Sequence, residues 1–198
     1  MKKVITLLLL CCLCFSACGT TIHTPNAWQE ASIKFEGSGI TFPCKYLEVT
    51  DRFTIENIDK FEPLEPYRYE RDFSYLTTKS GLENLCETLR VELYNPSDKT
   101  VSAKNGYIYY FSVYADEVDA TPLPNVVFPN GVTFDTTYGQ IKHQYGEPTE
   151  IVRNRVSYYN TKLKLSITFD CEDDVIHDDA MPKWFEYEIM VEKYDWEK

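Results

Sequence analysis

The chain has 198 residues, of which 43% are hydrophobic and 15% aromatic, and it carries a formal net charge of -11. That is enough apolar material to bury a real core, so disorder is excluded for most of its length. The acidic balance argues against nucleic acid and anionic headgroups as partners, because both are bound through Lys and Arg.

In chain order, Met1-Lys2-Lys3 precedes an apolar run from Val4 to Phe15, which gives the basic and apolar regions of an export signal. The run is too short to cross a bilayer, since a transmembrane helix needs about 20 apolar residues. Cys11 and Cys14 have redox-motif spacing but fall inside this segment. Next comes Phe15-Ser16-Ala17-Cys18-Gly19, which resembles the lipobox of bacterial lipoproteins, with small residues at the two positions before the cysteine. Phe15 stands where that family usually has an aliphatic residue. The resemblance implies a signal peptide over residues 1-17, cleavage before Cys18, and lipid attached to the Cys18 sulfur. The protein would then sit on the extracytoplasmic face of the cell membrane. Two acyl chains, at about 0.8 kcal/mol per buried methylene, suffice for stable anchoring. Without Lys2 and Lys3 the formal charge falls from -11 to -13.

Residues 18-32 are small, polar and aperiodic and are expected to be a tether. Residues 33-116 and 126-198 are expected to be two copies of one unit, separated by an acidic, proline-bearing linker over 117-125. The repeat rests on Gly39-Ile40-Thr41-Phe42-Pro43-Cys44-Lys45-Tyr46-Leu47-Glu48-Val49. This aligns without gaps on Gly131-Val132-Thr133-Phe134-Asp135-Thr136-Thr137-Tyr138-Gly139-Gln140-Ile141, and Phe53 falls opposite Tyr145.

In the second copy Thr137 and Gln140 fit a capping box, while Tyr138, Ile141 and Tyr145 share one helical face; Gly146 and Pro148 stop the helix. The first copy predicts a weaker helix over Lys45 to Arg52. Apolar alternation predicts three strands after each helix: about 67-77, 87-94 and 107-114 in the first half, and 151-159, 163-169 and 185-191 in the second. The expected fold class is therefore α+β, a tandem repeat of a short helix packed on a three-stranded antiparallel sheet.

The segment from Thr136-Thr137-Tyr138-Gly139-Gln140-Ile141 through Tyr145-Gly146-Glu147-Pro148, with the strands after it, resembles domains of the β-lactamase-inhibitor-protein and small outer-membrane-lipoprotein superfamily. It is also similar to uncharacterised lipoproteins of Gram-positive bacteria. The resemblance covers mainly residues 126 to 194. It implies protein binding or envelope assembly rather than catalysis, and supplies no partner.

The sequence has no nucleophile elbow, phosphate loop, zinc-binding His-Glu-x-x-His or, beyond the signal, Cys-x-x-Cys. His23 falls in the tether, His143 on the predicted second helix and His177 in a loop. Cys44, Cys86 and Cys171 leave three disulfide pairings open. Cys44 lies near a predicted helix start, where a thiol pKa falls. Glu172 to Asp179 gathers carboxylates around His177 and could hold a divalent cation, although a solvated acidic connection is the ordinary expectation for such a run. The aromatic strand carries Tyr107, Tyr109, Tyr110 and Tyr114; with Trp184 they form a candidate binding surface, because rings give large contact area at little rotamer cost. The alternative is that the two repeats pack together and bury them.

The expectation is a non-enzymatic, membrane-anchored protein with no cofactor and no metal. It would bind an unknown envelope protein or polymer and no nucleic acid. The alternative is a surface glycan hydrolase, which would need paired carboxylates in a groove, or a glycan-binding protein.

Overall fold

The computed structural model describes residues 26–69, 74–78, 89–115, 125–171, 173–193 and 196. Cys18, Cys86, Glu172 and all but Asn125 of the expected linker lie outside them. The strands are β1 (Ser32–Phe35), β2 (Ser38–Thr41), β3 (Cys44–Lys45), β4 (Phe53–Ile55), β5 (Ser74–Thr78), β6 (Leu89–Tyr94), β7 (Tyr107–Tyr114), β8 (Val126–Val127), β9 (Glu150–Val152), β10 (Arg155–Tyr159), β11 (Leu163–Phe169) and β12 (Pro182–Ile189). The α-helix among the described residues is α1 (Tyr138–Tyr145).

The tandem helix-and-sheet repeat does not form. The protein is mostly β, with two antiparallel sheets: one of three strands, β2-β1-β8, and one of nine, ordered β4-β5-β6-β7-β12-β11-β10-β9 with β3 paired on β7. Two features overturn the expected class. First, β7 and β12, which would each have belonged to a separate sheet, pair with each other from Trp184↔Tyr114 to Glu188↔Tyr110. Joining them fuses both halves into one sheet and removes two open edges, each of which would have exposed a row of unpaired backbone groups.

Second, the aligned segments differ in conformation. Gly39 lies inside β2, whereas Gly131 closes a turn at φ 80°, where a side chain would be strained. The expected first helix is a single 3₁₀ turn, Tyr46–Glu48, and Phe53 already begins β4. Thr137 offers a hydroxyl that accepts the Gln140 N–H at 3.4 Å, and Gln140 Oε1 accepts the Thr137 N–H at 2.9 Å. Lys45, at the equivalent position, has no side-chain acceptor to offer. The matching pattern of burial survives, since Tyr46, Val49, Tyr138 and Ile141 are all buried.

The core lies between the two sheets and is continuous across both halves. Phe128, just after β8, stacks on Phe185 of β12 at 4.0 Å; Phe35 of β1 faces Phe53, and Phe42 faces Phe111. Beside the small sheet, α1 covers β10 and β11 through Tyr145 against Tyr158 and Tyr138 against Phe169. The buried Tyr145 hydroxyl donates to the Pro129 carbonyl at 2.9 Å.

Residues 26–31, read from sequence as the end of the tether, form a 3₁₀ turn at Ala27–Glu30 that buries Ala27 and Trp28. The Trp28 carbonyl accepts the Tyr187 hydroxyl at 3.0 Å. Asn95, also buried, organises the loop after β6. Its amide donates to the carbonyls of Leu64, Glu65 and Lys99, and its oxygen accepts from Ser97 N–H and Oγ.

Candidate functional site: the outer face of the large sheet

Side chains alternate across a strand, so burying Phe111, Val113, Phe185, Tyr187, Leu165 and Ile167 sends their neighbours to the opposite face. That outer face is built in three rows that follow the register. The middle row runs Tyr75, Arg90, Ser112, Glu186, Ser166, Ser157. One flanking row holds Tyr114, Trp184, Thr168 and Arg155; the other holds Glu92, Tyr110, Glu188, Lys164 and Tyr159. The serines sit low between long neighbours, which is why Ser112, Ser166 and Ser157 are buried. Ser157 and Ser166 hydroxyls lie 3.2 Å apart.

All five residues of the predicted binding surface are placed, and they fall into two groups. In the first, Tyr114 stacks on Trp184 with centroids 4.5 Å apart, and the Arg90 guanidinium lies 5.1 Å from the Tyr114 ring centre. Trp184 Nε1 is buried with no hydrogen-bond partner among the described residues. Alongside, the Tyr110 hydroxyl donates to Glu186 at 2.8 Å, and Arg155 pairs with the other Glu186 oxygen at 2.6 Å. Burial above all raises the Tyr110 phenol; Ser112 opposes the rise and the Glu186 carboxylate adds to it. Tyr110 therefore remains a neutral donor at every physiological pH.

In the second group, the register shifts between Glu92↔Tyr110 and Leu93↔Ile108, which leaves Tyr109 as an extra residue in β7. Such a bulge re-aims a side chain, and the Tyr109 hydroxyl donates to the Glu92 carboxylate. Its ring meets Tyr69 at 6.0 Å and Tyr94 at 6.1 Å. Burial chiefly, then the carboxylates of Glu92 and Glu188, push this phenol far up. Tyr107 packs edge-on to Trp196 at 5.1 Å, with the Lys45 ammonium 5.5 Å from its ring centre.

Sequence reasoning missed Arg90, Arg155 and Glu186 as members of the first group. Glu186 was signalled by its alternation with Phe185 and Tyr187, but the two arginines reach it only through strand pairings that no local pattern reports.

The other sequence candidates are placed differently. Cys44 lies in β3, directly before the cap of the 3₁₀ turn Tyr46–Glu48, but it is buried, and burial pushes its thiol up to about 12, the opposite of activation. Cys44 and Cys171 are free thiols. Of the acidic run, Asp178 braces α1: its carboxylate pairs with Lys142 at 2.7 Å and its carbonyl accepts the Gly139 N–H at 2.8 Å. Asp173 accepts the Val175 N–H and lies 3.9 Å from His177. Among the described residues no group of three His, Cys, Asp or Glu side chains is placed to hold a metal ion. His143 is exposed on α1. No helix among the described residues is long and apolar enough to cross a membrane. No protein-family model matches the chain, and neither a curated protein nor a solved structure matches it.

Proposed function

We propose that this protein is a lipid-anchored extracytoplasmic lipoprotein, held to the membrane through Cys18, that binds an envelope protein or polymer without catalysing a reaction. The ligand surface in this reading is the outer face of the nine-stranded sheet. The observation that carries it is the Tyr114–Trp184 stack beside the Arg155–Glu186–Tyr110 network, on the face opposite the core. Stacked rings with a cation over the Tyr114 face, on the side of the sheet away from the core, contribute nothing to packing between the two sheets. They provide a rigid, amphipathic contact area of the kind that dominates binding energy at interfaces. A glycan-binding variant of this reading is favoured by the same stack, since a flat indole, with Arg90 over the neighbouring Tyr114 ring and Arg155 two places along the same row, suits the apolar face and hydroxyls of a sugar ring. A hydrolase acting at this stack would need two carboxyl groups free to act across a cleft, and the carboxylate beside it, Glu186, is already engaged by Arg155 and Tyr110.

Two experiments test the proposal. Radiolabelled palmitate should enter the wild-type protein and not Cys18→Ala; the reverse would remove the anchor. Cross-linking in intact cells should capture a specific envelope protein or polymer, and Trp184→Ala should reduce that capture. Equal recovery with Trp184→Ala would move the surface elsewhere.

A further inference from the structure

The pocket at the end of β12 belongs to the same outer face but differs from the Trp184 group in chemistry. It has a volume of about 410 Å³, inside the range of small-molecule sites. We infer that it receives an alkylammonium group, the charged end of a lysine-type side chain, as part of the ligand bound by the outer face. This rests on the reading of that face as a binding surface.

Three properties of the walls point to such a cation. Tyr69 and Tyr109 line one side, and an aromatic ring attracts a cation to its face. The Tyr109 hydroxyl is held by Glu92, so the ring is fixed before any ligand arrives. Glu188 and Glu192 line the pocket as well, and neither is in an ion pair among the described residues. Lys164 lies across from Glu188 in the strand register without such a pair. Among the described lining residues both charged groups are carboxylates, so an ammonium would find Glu188, Glu192 and the partly exposed Tyr69 ring, with the buried Tyr109 ring packed against it. The remaining wall is Ile189 to Val191, an apolar strip suited to the methylene stem behind the charge. That strip separates a lysine-type ligand from a compact ammonium ion.

The test uses the full-length protein in detergent, with Nα-acetyl-lysine amide as the probe and Trp196 fluorescence or ligand-observed NMR as the readout. Trp196 packs 5.2 Å from Tyr94, which touches Tyr109, so filling the pocket should perturb its emission. Saturable binding is expected, weaker as salt rises, and lost when the side-chain amine is acetylated. Tyr69 is 41% exposed; Tyr69→Ala should weaken binding roughly fivefold, the ratio that corresponds to one cation–π contact. Glu192→Gln should weaken it and flatten the salt dependence. Equal binding of the acetylated probe, equal binding of tetramethylammonium, or unchanged affinity in both variants would overturn the inference. Failure of the lysine probe while cross-linking through the Trp184 face persists would overturn the pocket assignment and leave the surface reading standing. Probe binding with no envelope ligand captured would do the reverse.

Discussion

Phe185→Ala is the sharpest perturbation of the architecture, because Phe185 sits where the two halves are joined. Its side chain is fully buried, stacks on Phe128 at 4.0 Å and meets Phe134 edge-on at 5.1 Å. Its backbone lies opposite Val113 in the β7–β12 pairing. Truncating a buried phenylalanine costs about 3–5 kcal/mol through lost transfer energy and the cavity left behind. Losing the stacked partner places this site at the upper part of that range. With a urea m-value of about 2 kcal/mol/M, the midpoint should fall by about 2 M. The decisive part is how the loss is distributed. In one continuous core, hydrogen exchange should accelerate in peptides from β4–β6 as well as β9–β11, within a single unfolding transition. A shift below about 1 kcal/mol, or two transitions of which only the second-half one moves, would refute the reasoning and show two independent units.

Asn95→Ala should cost about 1–3 kcal/mol by urea denaturation, because it removes five hydrogen bonds around a buried site: the Ser97 N–H loses its acceptor, while the carbonyls of Leu64, Glu65 and Lys99 keep only the Val101 N–H, the Arg68 N–H and the Ser97 hydroxyl. Cys44 should react far more slowly than Cys171 with a thiol reagent at pH 8, read by peptide mapping, since Cys44 is buried with its thiol raised to about 12. A raised thiol pKa means that the folded state holds its proton more tightly than the unfolded state. Its stabilisation is complete below about pH 9 and is lost between there and about pH 12, at about 1.4 kcal/mol per unit; Cys44→Ala should therefore lose less stability than wild type across that window. Gly139→Ala should lower the melting temperature despite the usual gain of alanine in helices, because its Cβ would stand 3.1 Å from the Asp178 carbonyl that the Gly139 N–H binds.

Local order was legible wherever a short stretch of sequence decides its own conformation. Alternation placed β7 at Tyr107–Tyr114 and β11 at Leu163–Phe169, and the Thr137–Gln140 pair placed the start of α1. What failed was everything set by partners distant in sequence. Nothing in Tyr110–Tyr114 announces that Trp184–Glu188 will pair with it, and that pairing alone separates one nine-stranded sheet from two small ones. The β2-β1-β8 sheet was passed over because Ser32–Phe35 and Val126–Val127 are short and lie at the edges of segments read as tether and linker. In the site the rings were found from composition and alternation, whereas Arg90 and Arg155 join them only through register.

The burial of Trp28 also sets a leash. If Cys18 carries the lipid, nine residue steps separate the anchor from Ala27, the first residue locked into the core. At about 3.4 Å per residue, that chain spans at most about 30 Å when fully drawn out. Under that anchor the first locked residue would stay within about 30 Å of the bilayer. On the proposed reading, a ligand for the protein's outer face would have to come to the membrane surface, or be rooted there. Lengthening the segment before Asn26 with a flexible insert would widen that range and dilute the domain among targets near the membrane.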